Sequence, residues 1–161
     1  MSQPNIIALD PGPTQTAMLV FDPVKRAIIP GSAKILPNEQ CLSRLFDIKC
    51  EGYGELLAVE WIESYGMAVG KEVFETCYWV GRFAQAFYGE CRLVPRREVK
   101  LALCNSTRAT DANVRTAIID MYGGKDKAIG TKKQPGPLYG IKSHLWSALA
   151  VAMTASVRND K

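Results

Sequence analysis

The chain has 161 residues, 47% of them hydrophobic and 22% charged, with a formal net charge of +4; this suits one globular domain over residues 1–161 and permits a polyanionic partner without demanding one. Its apolar runs fall far short of the about 18 residues of a membrane span, no N-terminal signal is read, and no membrane partner is expected. The five cysteines (41, 50, 77, 91 and 104) are odd in number and form no CxxC pair, which argues against a disulfide framework or a zinc site and fits a reducing, cytoplasmic setting.

The first element is an apolar strand, residues 5–10, that ends on Asp10 at a turn marked by Pro11-Gly12-Pro13. A second strand (16–22) returns from the turn, and a third, short one lies near Ala27-Ile28-Ile29. An apolar strand that delivers one carboxylate to a turn is a common way to hold a metal or a catalytic base. The lesser alternative is that Asp10 is a turn former or a cap. A short helix is expected from Asn38 to Phe46, with Leu42, Leu45 and Phe46 on one face. The next strand, from Gly54, again runs apolar and again ends in an acid, Glu60. If the two strands are neighbours, both acids lie at one edge of the sheet.

From about Gly70 to Tyr88 the pattern is helical: Val73, Cys77, Val80, Ala84 and Phe87 recur at spacings of three and four, and Phe74, Tyr78 and Phe83 widen the apolar surface. This surface is either core or a dimer contact. A short strand, Glu90–Val94, ends at Pro95; Cys91 and Cys104 are read as core. A short helix follows over 96–103, and another opens at Thr110-Asp111, with Val114, Ile118 and Met121 on one face. Residues 123–140 are rich in Gly, Pro and Lys and lack periodicity, so a mobile basic surface loop is expected. The final helix, from Ser143 to about Val157, carries the only histidine, His144, three residues before Ser147 and so on the same face. Its small residues Ala148, Ala150 and Ala152 suggest close packing on a sheet.

Four segments in this order, LDPGPTQTA (9–17), AVE (58–60), STRATDANVR (106–115) and SHLWSALAVA (143–152), resemble the RuvC-type Holliday junction resolvases, in particular their phage-encoded branch. The resemblance spans nearly the whole chain. It implies an α/β, RNase H-like fold: a mixed five-stranded sheet flanked by helices, with the first three strands antiparallel. It implies a metal-dependent endonuclease that cuts four-way junctions, working in a bacterial host's cytoplasm if phage-encoded. Asp10 and Glu60 match the family's first two acids, and His144 matches the third ligand position. The fourth position, normally Asp, is Ser147 here, a neutral group and a poor Mg²⁺ ligand. Asp111 stands where many relatives have a lysine. It either restores a third carboxylate to the metals or is a first-turn acid favoured by the helix dipole; Glu63 is a second substitute.

The expected chemistry is two-metal hydrolysis with Mg²⁺ or Mn²⁺: Asp10 bridges two ions, Glu60 holds one, and His144 binds the second or exchanges a proton with the attacking water. An imidazole ligand suits Mn²⁺ better than Mg²⁺. The acids repel DNA, so a positive rim is needed; Arg96, Arg97, Lys100, Arg108, Arg115, Lys125, Lys127, Lys132, Lys133 and Lys142 are the available cations. Trp61 and Tyr65 are the aromatics nearest the second acid, able to enter a junction crossover. Two-fold junction symmetry implies a homodimer, with the 70–88 helix and the 65–70 segment as its interface. The alternatives are a less specific branched or flap endonuclease and a junction-binding protein with a degenerate site. An actin-like ATPase would need a second phosphate loop and more residues.

Overall fold

The structure, a computed structural model, describes residues 3–52 and 54–157. Strands β1 (Ile6–Pro11) and β2 (Gln15–Asp22) pair antiparallel across the Pro-Gly-Pro turn, with Asp10 opposite Ala17. The outer margin of β2 is shared by two short strands, β3 (Ala27–Ile28) and β4 (Lys34–Pro37), both antiparallel to it. On the other side β5 (Leu56–Trp61) runs parallel to β1, and β6 (Glu90–Pro95) parallel to β5. The sheet is mixed and has six strands, in five positions. The expected five positions and antiparallel first three are present. The sixth strand, β4, escaped sequence reading because four half-buried or exposed residues ending in Pro37 carry no strand-length apolar signal.

Helices cover both faces. On one lie α1 (Asn38–Cys50) and α2 (Lys71–Phe87); on the other α3 (Arg96–Cys104), α4 (Asp111–Met121), α5 (Lys125–Ala128) and α6 (Leu145–Ser156). Strand alternation divides the core between them. Ile7, Leu9, Leu57 and Val59 pack toward α1 and α2, whereas Ile6, Ala8, Leu56 and Ala58 pack toward α6. Small residues on the sheet (Ala8, Ala58) meet small residues on α6 (Ala148, Ala152), so α6 lies close against the central strands.

Three expected helix faces shift; in α4 Val114 and Ile118 are buried but Met121 is exposed. In α1 the buried residues are Asn38, Cys41, Leu45 and Ile48, and Phe46 is exposed. In α2 they are Thr76, Val80, Phe83 and Phe87, with Val73, Cys77 and Ala84 half-buried and Phe74 and Tyr78 exposed. Thr76 sits among apolar residues because its hydroxyl donates to Glu72 O at 2.8 Å, which satisfies the polar group inside its own helix. Cys91 and Cys104 are half-buried against the two halves of the core rather than inside them.

The Gly- and Lys-rich stretch has more local order than its composition suggests. Ala128 and Leu138 are buried, Gly136 N donates to Ile129 O and Leu138 N to Ala128 O, and Gly130 bridges Pro135. Gly136 is packed against backbone: an added Cβ would lie 2.3 Å from Lys127 O and 2.4 Å from Ala128 O. Gly136→Ala is therefore expected to destabilise the protein by about 2 kcal/mol, in the range of overpacking substitutions, read as a fall in the denaturation midpoint in urea.

Candidate active site

The register of the central parallel pair builds the site. Leu9 lies beside Val59, so Asp10 and Glu60 follow one another at the ends of adjacent strands, and both project toward α6, the face of Ala8 and Ala58. They open into a cleft of about 470 Å³ lined by residues of β1, β5, α3, α4 and α6. The turn that ends β1 is fixed from behind: buried Asn38 donates Nδ2 to Gly12 O (3.0 Å), accepts from Thr16 Oγ1 (2.7 Å), and donates its backbone N–H to Thr14 O (3.0 Å).

Asp10 is buried, and its carboxylate meets His144 Nδ1 at 2.8 Å through Oδ2. An ionised carboxylate only accepts, so Nδ1 carries the hydrogen and Nε2 is left as the basic nitrogen. The Ser147 hydroxyl and the Glu60 carboxyl group lie near enough to the same carboxylate to influence its ionisation. Burial raises the pKa of Asp10, while the hydrogen bond with Glu60, the Arg96 charge and the Ser147 hydroxyl oppose the rise. Glu60 is pushed up to about 8, first by burial and then by sharing its proton with, and feeling the charge of, Asp10.

Arg96, the first residue of α3, lies across the cleft. It meets Glu60 Oε1 at 3.3 Å through Nη1 and bonds Asp111 Oδ2 through Nη2. Asp111 opens α4 behind a capping box of Thr110 and Asn113. The cleft's remaining cations are Lys100 and Arg115, the latter stacked 4.7 Å above the Trp146 ring.

The sequence-derived residues thus divide. Asp10, Glu60 and His144 converge, with Ser147 beside them, and Asp111, Arg96, Lys100 and Arg115 line the same cleft. Arg96, expected on the rim, is turned inward because two carboxylates hold it. Arg97, Arg108, Lys132, Lys133 and Lys142 are exposed outside the cleft lining, as are Lys125 and Lys127. Tyr65 is exposed, takes a left-handed backbone (φ 48°) and donates its hydroxyl to Glu63. Sequence reading missed two functions. Ser147 lines the cleft beside Asp10 and favours its ionised form, which its spacing from His144 could have signalled; Asn38 holds the Asp10 turn, for which a polar residue at a helix start is the faint sign.

No protein-family model matches the chain, and no curated protein matches it in sequence. Among solved structures it is similar to T. thermophilus RuvC in complex with Holliday junction substrate, with a TM-score of 0.68 and 18% identity over 94% of this chain and 92% of that one. A second Thermus thermophilus RuvC structure matches with a TM-score of 0.63 and 19% identity, covering 93% and 92%. The chain has the RuvC fold. In this RuvC-like frame, which is RNase H-like, the strand-end acids and the start of the last helix share one cleft.

Among the described residues, no group of three His, Cys, Asp or Glu side chains could by itself hold a metal ion. Two carboxylates do gather, and they fit a cation: Asp10 (buried) and Glu60 (half-buried) are hard oxygen donors close together, and the Asp10 charge opposes ionisation of Glu60. A divalent ion against both would remove that repulsion.

Proposed function

We propose that this chain is a metal-dependent, structure-selective endonuclease that resolves four-way DNA junctions by paired symmetric nicks. The observation that carries this reading is the pair of acids, buried Asp10 and half-buried Glu60, at adjacent strand ends beneath a cleft that also holds His144, Lys100 and Arg115. The fold likeness supports the substrate class, since a RuvC of this fold has been captured on a Holliday junction substrate. Asp10 and Glu60 would hold Mg²⁺ or Mn²⁺, which supplies Lewis acidity to the phosphoryl group. His144, oriented by Asp10 through Nδ1, would take the proton of the attacking water at Nε2. Lys100 and Arg115 draw the DNA backbone into the cleft, and Arg97, Arg108, Lys132, Lys133 and Lys142 extend the positive surface. Tyr65, exposed and four residues past Trp61 at the end of β5, would be the aromatic that meets the crossover.

Paired cuts require two copies. The outer face of α2 supports a homodimer, because Phe74 and Tyr78 are exposed there, as is Met67 in the preceding segment.

The test compares four-way junction, flap and linear duplex with Mg²⁺ and with Mn²⁺. Symmetric nicking of the junction at rates at least about tenfold above the flap is expected. Binding should weaken steeply with salt, since phosphate contacts dominate. Equal cutting of flaps would indicate a less specific branched-DNA nuclease. Tight junction binding without cleavage by either ion would indicate a binding protein.

A further inference from the structure

A tryptophan is out of place on α6. The helix packs on the sheet through small residues, yet Trp146, its one aromatic, lines the cleft with Ser147 and Ala150. The ring is 8% exposed and belongs to the same apolar cluster as Val99 of α3 and Val114 of α4, so close packing holds it in place. Over that ring lies the exposed Arg115 of α4, its Cζ 4.7 Å from the ring centroid. A guanidinium at this range is attracted to the negative face of the indole. The attraction acts on the charge and uses none of the five N–H donors, which stay available to an acceptor.

The acid that would ordinarily take those donors is engaged elsewhere. Asp111 stands four residues before Arg115, at the spacing of a helical ion pair, but its Oδ2 is bonded to Arg96. The two cleft arginines therefore differ: Arg96 is tied to carboxylates, and Arg115 rests on an aromatic ring. A long side chain that moves freely in water gives up rotamer freedom when it captures a ligand. On the ring, Arg115 has given up part of that freedom beforehand, so an anion is bound more tightly and in one place.

We propose that Arg115 is a preset clamp for one phosphodiester group of the cut strand, and that Trp146 is the positioning residue that holds it. Two N–H groups of the guanidinium meet two oxygens of one phosphate, a match of planar fork to anion that a lysine cannot make. The clamp fixes the strand in the cleft while the acids attend to the reacting group. The proposal deepens the nuclease reading above and rests on it for the identity of the ligand.

The experiment is a double-mutant cycle on four-way junction binding in chelator, repeated over a range of salt, with cleavage in Mn²⁺ measured separately. Arg115→Ala should weaken binding about tenfold and reduce the slope of log affinity against log salt by about one. Arg115→Lys should keep the slope and lose about threefold, because a point charge makes no fork. Trp146→Leu should also keep the slope and lose about threefold. In a chain that already carries Arg115→Ala, the same Trp146→Leu change should cost nothing further. Trp146→Phe, which retains a ring, should lose less than Trp146→Leu. Equal losses from Trp146→Leu with and without the arginine would mark the tryptophan as purely structural and overturn the proposal. An unchanged salt slope in Arg115→Ala would overturn it as well. A wild-type chain that binds the junction but does not cut it would overturn the nuclease reading alone; one that binds no junction would overturn both.

Discussion

Asp10→Asn is expected to abolish cleavage, lowering the rate at least about 10³-fold, as loss of a metal-holding carboxylate removes several kcal/mol of charge stabilisation. The shape of the site should survive. The Asn side-chain oxygen can still accept from His144 Nδ1 and the Ser147 hydroxyl, which in the native protein both approach Asp10. Junction affinity without metal should therefore be preserved or slightly raised, since one negative charge has left the cleft proposed to receive DNA. Stability gives an independent check. Asp10 raises the pKa of Glu60 by its charge and hydrogen bond, so removing it relieves a buried repulsion. The metal-free variant should melt at or above the wild-type temperature at pH 8. Rapid cutting by Asp10→Asn would remove Asp10 from the mechanism; a large loss of stability would show that its role is architectural.

The second large effect is the pH dependence of stability in the metal-free protein. An ordinary glutamate titrates near 4.5, and Glu60 in the folded chain holds its proton up to about 8. Between those values the folded state binds a proton that the unfolded state has lost. Folding is therefore favoured at low pH, and the benefit disappears as pH rises from about 4.5 through about 8. In chelator the melting temperature should fall by roughly 5 °C between pH 5.5 and 8.5, beyond what a Glu60→Gln variant shows. Saturating Mn²⁺ should raise it, and more at pH 8.5 than at pH 5.5, because the ion replaces the proton between the two acids. A wild-type curve that is flat with pH and indifferent to Mn²⁺ would show that Asp10 and Glu60 are not a cation nest.

Much of this site was legible in the residues. Two apolar strands that each end in an acid placed Asp10 and Glu60 together, and the parallel register of β1 and β5 is how the fold delivers that pairing. The alanines of the last helix announced a close approach to the sheet, and that approach brings His144 to Asp10. What stayed hidden depends on contacts between distant segments. Nothing local to Arg96 distinguishes it from Arg97. Only the meeting of β6, α3 and α4 turns the first toward Glu60 and leaves the second outside. Helix faces were misjudged for a related reason. Periodicity finds an apolar stripe, but α2 has apolar residues nearly all round, and the neighbouring α1 decides which of them are covered. The ordered stretch between α4 and α6 was obscured by its composition, because two buried apolar residues, Ala128 and Leu138, anchor a segment otherwise rich in Gly, Pro and Lys.

The margins of the sheet limit how copies of this chain can associate. On the β2 side the outermost position is broken into the separate pieces β3 and β4, so no continuous row of free amides and carbonyls is offered to a neighbour. On the β6 side the strand carries Glu90 and Arg92 and stops at Pro95, which has no N–H to give. Joining two sheets into one continuous ribbon is disfavoured at both ends. Association through surfaces other than the sheet margins would leave the strand ends that carry the acids free for a ligand.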